Sequence, residues 1–404
     1  MDTIAIIGAG LTAASAAGAL REDGFDGRVV VVGTEPHLPY QRPPLSKGYL
    51  LGAVRLDEAA VHPAPWYAEH HVDLRLGVTA TAIDLDRRTV VTDRGTLRYD
   101  RLLIATGARP RRLPLVDDSG APATTLRTIE DSRRIKAELR PGRRIVVVGG
   151  GWIGLEVAAA ARAAGAQVTV LEAGPLPLVR PLGPEVAELF RALHVEHGVD
   201  LRTGVVVTSV RHDGGEAVVT LLDGTTLRAD LLVVGIGAVP DVGLAEAAGL
   251  RTDDGVVVDE HLRTSHRDVY AAGDVAQAYH PLLGRHVRVE HWDNALRQGR
   301  AAARSMLGAS EPYARLPYFF TDQYDVGIEY VGSVGPDGYD ELVLRGDVRD
   351  RRFSAFWVKE GRVLAGMHAN ERGAMRWIRT IVTVGQVDLS GLRDRRVELS
   401  TLAA

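Results

Sequence analysis

Two short glycine turns constrain this chain more than any other feature: Gly8-Ala9-Gly10-Leu11-Thr12-Ala13 and Gly149-Gly150-Gly151-Trp152-Ile153-Gly154. Each follows an apolar β-type run, Ile4-Ala5-Ile6-Ile7 or Ile145-Val146-Val147-Val148, and opens an alanine-rich helical stretch. In such a strand–turn–helix the first glycine permits the tight turn and the second lets backbone N–H groups approach a pyrophosphate. The third position must be small for the helix to pack on its strand. The helix N-terminus then faces the anion. One turn of this kind arises by chance, but here the context repeats. The run 29–32 leads into Gly33-Thr34-Glu35, and the run 167–171 leads into Glu172. Both acids fall about 20 residues beyond their glycines, where a carboxylate accepts hydrogen bonds from a ribose diol. Two dinucleotide sites in one chain is the reading, against the bland alternative of ligand-free glycine turns.

The length of 404 residues allows two to three domains. Strand and helix patterns alternate to about residue 110 as one doubly wound unit, with Leu102-Leu103-Ile104-Ala105-Thr106-Gly107 as a buried strand ending in a glycine turn. Residues 143–235 repeat the plan: Leu231 to Val234, then Gly235-Ile236-Gly237-Ala238-Val239-Pro240, parallels Ala105-Thr106-Gly107-Ala108-Arg109-Pro110. The extended run Asp268 to Asp274 has no glycine fingerprint of its own and completes the first domain, which is then discontinuous. Beyond residue 312, aromatic residues gather at Tyr313, Tyr318, Phe319, Phe320 and Tyr324, hairpin-like strands flank Glu360-Gly361, and a helix is expected from about Arg372 to Val384. The expected fold is α/β: two Rossmann-like domains, 1–110 with 236–311 and 112–235, plus a smaller C-terminal α+β domain at 312–404.

A formal charge of -4 argues against general nucleic-acid binding, and the Arg-Arg pairs are scattered among acids. No apolar run approaches the ~18 residues of a membrane helix. Met1-Asp2-Thr3 leads straight into the first strand without a basic segment, so a cytoplasmic location is expected. There is no cysteine, which excludes disulfides, thiolate metal sites and a redox dithiol within the chain. No metal site is expected: His194 and His197 read as a surface pair at i, i+3, and the neighbours His70 and His71 point apart.

The chain has only three lysines, Lys47, Lys136 and Lys359. Lys47 closes Arg42-Pro43-Pro44-Leu45-Ser46-Lys47, where the prolines stiffen the approach and a helix can begin. An ammonium beside a reduced flavin is worth about 4 kcal/mol at ~4 Å and an effective dielectric near 20, before desolvation; the alternative is a surface lysine after a proline turn. Glu156 is placed in the first turn of the second glycine helix, where the helix dipole favours a carboxylate by ~0.3–1 kcal/mol. A pyrophosphate competes for that positive end, so Glu156 gains more from a cation, and it is paired with Lys47.

The chain resembles the NADH-dependent ferredoxin reductases of bacterial haem monooxygenases and Rieske-type dioxygenases, a branch of the glutathione-reductase-like flavoproteins. The segments that carry the resemblance are Gly8 to Ala13, Arg42 to Lys47, Ala105 to Pro110, Leu126 to Asp131, Gly149 to Glu156, Ala271 to Asp274, Glu290 to Ala295 and Tyr318 to Tyr324, spanning nearly the whole chain in order. The resemblance implies FAD in the discontinuous domain, held by Gly8, Gly10, Leu11, Thr12, Glu35, Arg42, Lys47, Ala82, Ala105, Thr106, Gly107, Arg127, Asp274 and the Trp292 backbone. It implies NADH at Gly149, Gly151, Ile153, Gly154, Glu156, Glu172 and Gly237, with Glu172 repelling a 2′-phosphate. Lys47, Glu156 and Trp292 are the implied catalytic residues. The Pro-Leu-Ser-Lys segment stands where disulfide reductases carry their redox cysteine, so electrons leave the flavin directly for a [2Fe-2S] ferredoxin. Trp292 and Phe320 are candidates for the apolar wall and electron exit, or for ordinary packing. Arg297, Arg300 and Arg304, on one expected helix, are candidates for the docking face of an acidic ferredoxin. Monomer or weak dimer is expected. Reduction of another acceptor (rubredoxin, a small molecule or O2), or a redox-sensing role like that of apoptosis-inducing-factor-like relatives, stays open at this stage.

Overall fold

The computed structural model describes residues 2–403, so positions 1 and 404, the outer ends of the expected domains, lie outside the described residues. The chain forms two compact units. The first runs up to Arg42 and continues in Arg55–Arg109 and Ala238–Arg315; the second comprises Pro43–Val54, Pro110–Gly237 and the stretch from Leu316 onward.

The main sheet of the first unit has five parallel strands in the order Val269–Ala271, Arg101–Ile104, Thr3–Ile7, Arg28–Gly33, Val72–Leu76. Buried parallel strands read as unbroken apolar runs rather than as alternation, and Ile4 to Ile7 and Val29 to Val32 are accordingly at most 4% exposed. The late strand Val269–Ala271 pairs with the early strand Arg101–Ile104, so the Asp268 to Asp274 segment does complete the first sheet. The helix Leu11–Glu22 buries Ala13, Ala16, Ala17 and Leu20 completely. Its alanines let a second helix, Trp292–Met306, approach so closely that a Cβ on Gly299 would lie 2.4 Å from the Thr12 carbonyl oxygen. Two smaller sheets, 80–98 and 252–288, complete this unit.

The second unit repeats the parallel plan in the order Asp200–Thr203, Gln167–Glu172, Arg144–Val148, Leu231–Val234, Ala123–Thr124. The helix Trp152–Ala163 follows the second glycine turn. A capping box between Thr128 and Asp131 starts the helix Ile129–Glu138. The Pro43–Val54 segment docks against that helix: Ser132 Oγ donates to the Leu45 carbonyl (2.7 Å) and Lys136 Nζ to the Tyr49 carbonyl (2.5 Å). The proline approach forms only a short 3-10 turn, Pro43–Leu45. The C-terminal part is a five-stranded antiparallel sheet, ordered Tyr318–Gln323, Val326–Gly332, Arg362–Ala369, Arg352–Lys359, Glu341–Asp347, with the helix Met375–Val384 packed on it. That helix starts three residues later than expected, because 372–373 form a turn. Trp357, fully buried, donates its indole N–H to the Leu182 carbonyl at 3.3 Å.

Candidate functional site

In the first unit, Gly8 has φ +105°, and a Cβ there would lie 2.1 Å from the Ala105 carbonyl oxygen. Only glycine lets the turn pass so close to the strand end. Gly10 caps the helix Leu11–Glu22 with open space where a Cβ would be. No side chain caps this N-terminus and its first turn holds no acid, which leaves the first-turn N–H groups of Leu11, Thr12 and Ala13 for an external anion. Gly273, at φ +80°, closes over Thr12 with a virtual Cβ 2.3 Å from Thr12 Oγ1, and brings Asp274 to the same end of the helix. Glu35, just past its strand, accepts from Tyr40 OH (2.7 Å) and Arg42 Nη2 (3.0 Å). Burial pulls the Arg42 guanidinium down, but Tyr40, Glu35 and Asp274 together raise it above its ordinary value. Glu35, Arg42 and Asp274 therefore share one electrostatic neighbourhood. Thr106 Oγ1 donates to the Asp241 carbonyl (2.8 Å), Gly107 turns at φ +75°, and Trp292, first residue of its helix, donates its indole N–H to Gln41 (2.9 Å). Ala82 is exposed on the small antiparallel sheet opposite Val91. The glycine turn with Glu35, Arg42 and Asp274 fits a pyrophosphate with a ribose beyond it, whereas Ala82 is not brought into contact with these groups.

The second unit builds the same cradle. Gly149 has φ +106° and a virtual Cβ 2.4 Å from the Gly235 carbonyl oxygen, the counterpart of Gly8 against Ala105. Gly151 caps the helix without a side-chain bond, and its first turn is free of acids. A Cβ on Gly154 would lie 2.1 Å from the Gly149 carbonyl oxygen, so smallness at the third position is enforced by backbone. Glu172 accepts from Gly150 N–H and Gly174 N–H, both at 2.6 Å, which fixes its carboxylate beside the turn. Ile153 shows 42% of its surface at the helix start, and Gly237 turns at φ +102°. Arg127 lies in this unit, its backbone N–H bonded to Asp131 (3.0 Å).

Glu156 does not stand in the first turn: it is the fifth residue of its helix, 5% exposed, too deep for the helix-dipole reading to apply. Lys47 Nζ donates to its Oε1 at 2.6 Å, Thr321 Oγ1 to the same oxygen at 2.5 Å, and Ser46 Oγ to Oε2 at 2.5 Å. The Lys47 ammonium also lies 5.5 Å from the centroid of the Phe320 ring. Sequence reading missed Ser46 and Thr321 because hydroxyls leave no spacing signature.

One further expectation is corrected. His194 is no surface residue: it is fully buried, bonded through Nε2 to Gln323 Oε1 at 2.8 Å, and burial lowers its pKa to about 4. His197 stacks on Tyr324 at 3.7 Å between ring centroids. No metal-binding cluster occurs among the described residues. Arg297, Arg300 and Arg304 do share the helix Trp292–Met306, but each already faces an acid: Asp293, Glu22 and Asp23 respectively. Among the described residues, no helix is long and apolar enough to cross a membrane.

Comparison with known proteins agrees with this double cradle. Residues 318–403 match the family described as Reductase C-terminal. The ferredoxin–NAD(+) reductase component of the anthranilate 1,2-dioxygenase system of Burkholderia cepacia is 40% identical over 99% of both chains. Putidaredoxin reductase of Pseudomonas putida is 39% identical over 100% of this chain and 97% of its own. The crystal structure of a covalent putidaredoxin reductase–putidaredoxin complex superposes with a TM-score of 0.95 at 38% identity, covering 99% of this chain and 98% of that one. The ferredoxin reductase for the CYP199A2 system of Rhodopseudomonas palustris matches over 100% of both chains, with a TM-score of 0.94 at 35% identity. With residues 2–299 matching its defining domain, this chain belongs to the pyridine nucleotide-disulphide oxidoreductase family.

Proposed function

We propose that this protein passes electrons from NADH through FAD to a [2Fe-2S] ferredoxin that serves a haem monooxygenase or a Rieske-type oxygenase. The observation that carries the reading is the pair of glycine cradles in a chain without cysteine: two dinucleotides are accommodated, and no thiol pair stands between them and an outside acceptor. The end-to-end likeness to ferredoxin–NAD(+) reductase components names the acceptor class. FAD, when bound, accepts a hydride from NADH and gives up electrons singly.

The chain's own residues do the rest. Gly8, Gly10, Leu11 and Thr12 receive the FAD pyrophosphate, with Ala105, Thr106 and Gly107 forming the close wall behind the turn. Glu35 and Arg42 take the adenosine side, Arg127 the polar flank, Asp274 the ribityl or phosphate oxygens, and the Trp292 backbone the pyrimidine edge. Gly149, Gly151, Ile153, Gly154, Glu172 and Gly237 receive NADH. Lys47 supplies positive charge to the flavin edge, and Glu156 fixes that ammonium in place. In this reading 1–110 with 236–311 is the FAD domain, 112–235 the NADH domain, and the protein works in the cytoplasm as a monomer or weak dimer.

The test is NADH consumption by the flavin-loaded protein in air, with and without a [2Fe-2S] ferredoxin and with a haem protein as terminal acceptor. Strong stimulation by the ferredoxin is expected. An unchanged slow rate overturns the proposal.

A further inference from the structure

The carboxylate of Glu156 is the end of a longer buried chain. Thr321 Oγ1, which donates to it, lies 3.4 Å from Gln323 Nε2, and Gln323 Oε1 faces His194 Nε2 at 2.8 Å. Thr321, Gln323 and His194 are each at most 1% exposed, so the row is shut off from bulk solvent. Only one direction of donation satisfies the whole row. A carboxylate only accepts, so Thr321 must give it its proton. The Thr321 oxygen then needs a donor, which is the Gln323 amide NH2. The Gln323 carbonyl oxygen is thereby turned toward His194, which must carry its proton on Nε2. His194 Nδ1 has no hydrogen-bond partner among the described residues, and burial keeps the ring neutral above a pKa of about 4. The single imidazole proton therefore belongs to Nε2. With the opposite Gln323 orientation, lone pairs of Gln323 and Thr321 would face each other at 3.4 Å, and His194 would have to carry its proton on Nδ1, which has no partner among the described residues.

We propose that His194 and Gln323 are positioning residues for Lys47: His194 sets the Gln323 amide, the Gln323 NH2 holds the Thr321 oxygen, and Thr321 holds the Glu156 oxygen that Lys47 shares. The helix Val179–Glu196 and the strand Tyr318–Gln323 thus place an ammonium neither of them carries. The consequence for electron transfer rests on the reading of Lys47 as the flavin-edge cation; the chain itself does not.

Lys47 is one of three lysines, so flavin-loaded protein grown on lysine labelled with 13C at Cε gives three side-chain signals, with Lys136 and Lys359 as internal controls. Gln323→Leu and His194→Phe should each shift the Lys47 signal. Because the two act in series, the double variant should shift it no further than the larger single change. Thr321→Val should shift it at least as far, and Thr321→Ser should restore it. If the apolar replacements prevent folding, Gln323→Glu, which has no NH2 to give Thr321, should shift the signal while keeping size and polarity. A Lys47 signal left in place by Gln323→Leu or Gln323→Glu, or by His194→Phe, overturns the proposal. The flavin midpoint potential, measured on the same samples, separates the two ideas: a shifted Lys47 signal with an unchanged potential upholds the chain and removes Lys47 from the flavin edge.

Discussion

At the scale of single residues, Glu156 carries the largest consequence. Its carboxylate is buried and accepts from one ammonium and two hydroxyls, so Glu156→Gln leaves Lys47 beside a neutral amide. Breaking a buried pair costs ~3–5 kcal/mol. Lys47 keeps 19% of its side chain in water, which brings the expected loss to about 2–3 kcal/mol, read from urea unfolding of the loaded protein. Glu172 makes a different prediction. Its two backbone bonds hold the charge where a 2′-phosphate would come, so Glu172→Ala should raise the NADPH-to-NADH ratio of kcat/KM by about tenfold, ~1.4 kcal/mol. A ratio that stays put would show that discrimination lies elsewhere. Glu172 was legible in the sequence because a ribose acid has a fixed spacing from its glycines. Ser46 was not, since it meets Glu156 only once the Pro43–Val54 segment has docked, nor were Thr321 and Gln323, which reach Glu156 and His194 only after the C-terminal sheet has packed. The burial of His194 was hidden for the same reason: two histidines at i, i+3 look alike whether the helix face is wet or dry.

Among the elements, the parallel strands were the most readable, because burial on both faces leaves runs such as Val29 to Val32 with no polar interruption. The C-terminal tail was the least readable. Residues 388–402 contain only two short helices, Leu389–Arg393 and Leu399–Leu402, and no apolar periodicity announces how they are held. One buried guanidinium ties their backbone to the sheet, beside the Arg393–Glu341 ion pair and the buried Leu392. Arg345, 8% exposed, donates through Nη1 to the carbonyls of Gly391 (3.2 Å), Leu392 (2.6 Å) and Asp394 (2.9 Å), and through Nη2 to that of Val397 (2.5 Å). Arg345→Met would leave those acceptors unpaired at ~1–3 kcal/mol for each one that stays dry, so the tail should open rather than remain in place. Hydrogen exchange of the 388–402 amides should accelerate at least about tenfold. Arg345→Lys should rescue little of this, because one ammonium lacks the planar fork that spans four carbonyls.

For the whole molecule, two fields can be tested, one acid-base and one steering. His194 is held near a pKa of about 4, whereas in the unfolded chain it titrates near 6.5. The folded state thus binds fewer protons, and its stability is undiminished above about pH 6.5 and falls as pH drops toward 4, by about 3 kcal/mol at most from this group. His194→Gln should flatten the acid limb of the stability curve in that window. The steering field is subtler, since the arginines of the helix Trp292–Met306 are matched by acids. Arg300 holds the Glu22 carboxyl below its usual range, yet Glu22 is 57% exposed, and exposed pairs contribute only ~0–1 kcal/mol. An acidic ferredoxin can therefore displace Glu22 at small cost. If this helix docks the ferredoxin, Glu22→Gln should speed ferredoxin reduction about two- to fivefold at low salt, Arg300→Glu should slow it by more, and both effects should fade once salt screens the encounter. Unchanged rates and an unchanged salt slope in both variants would move the docking face off this helix, because a helix that steers an acidic partner must respond in opposite directions when its counter-charge is removed and when its own charge is reversed.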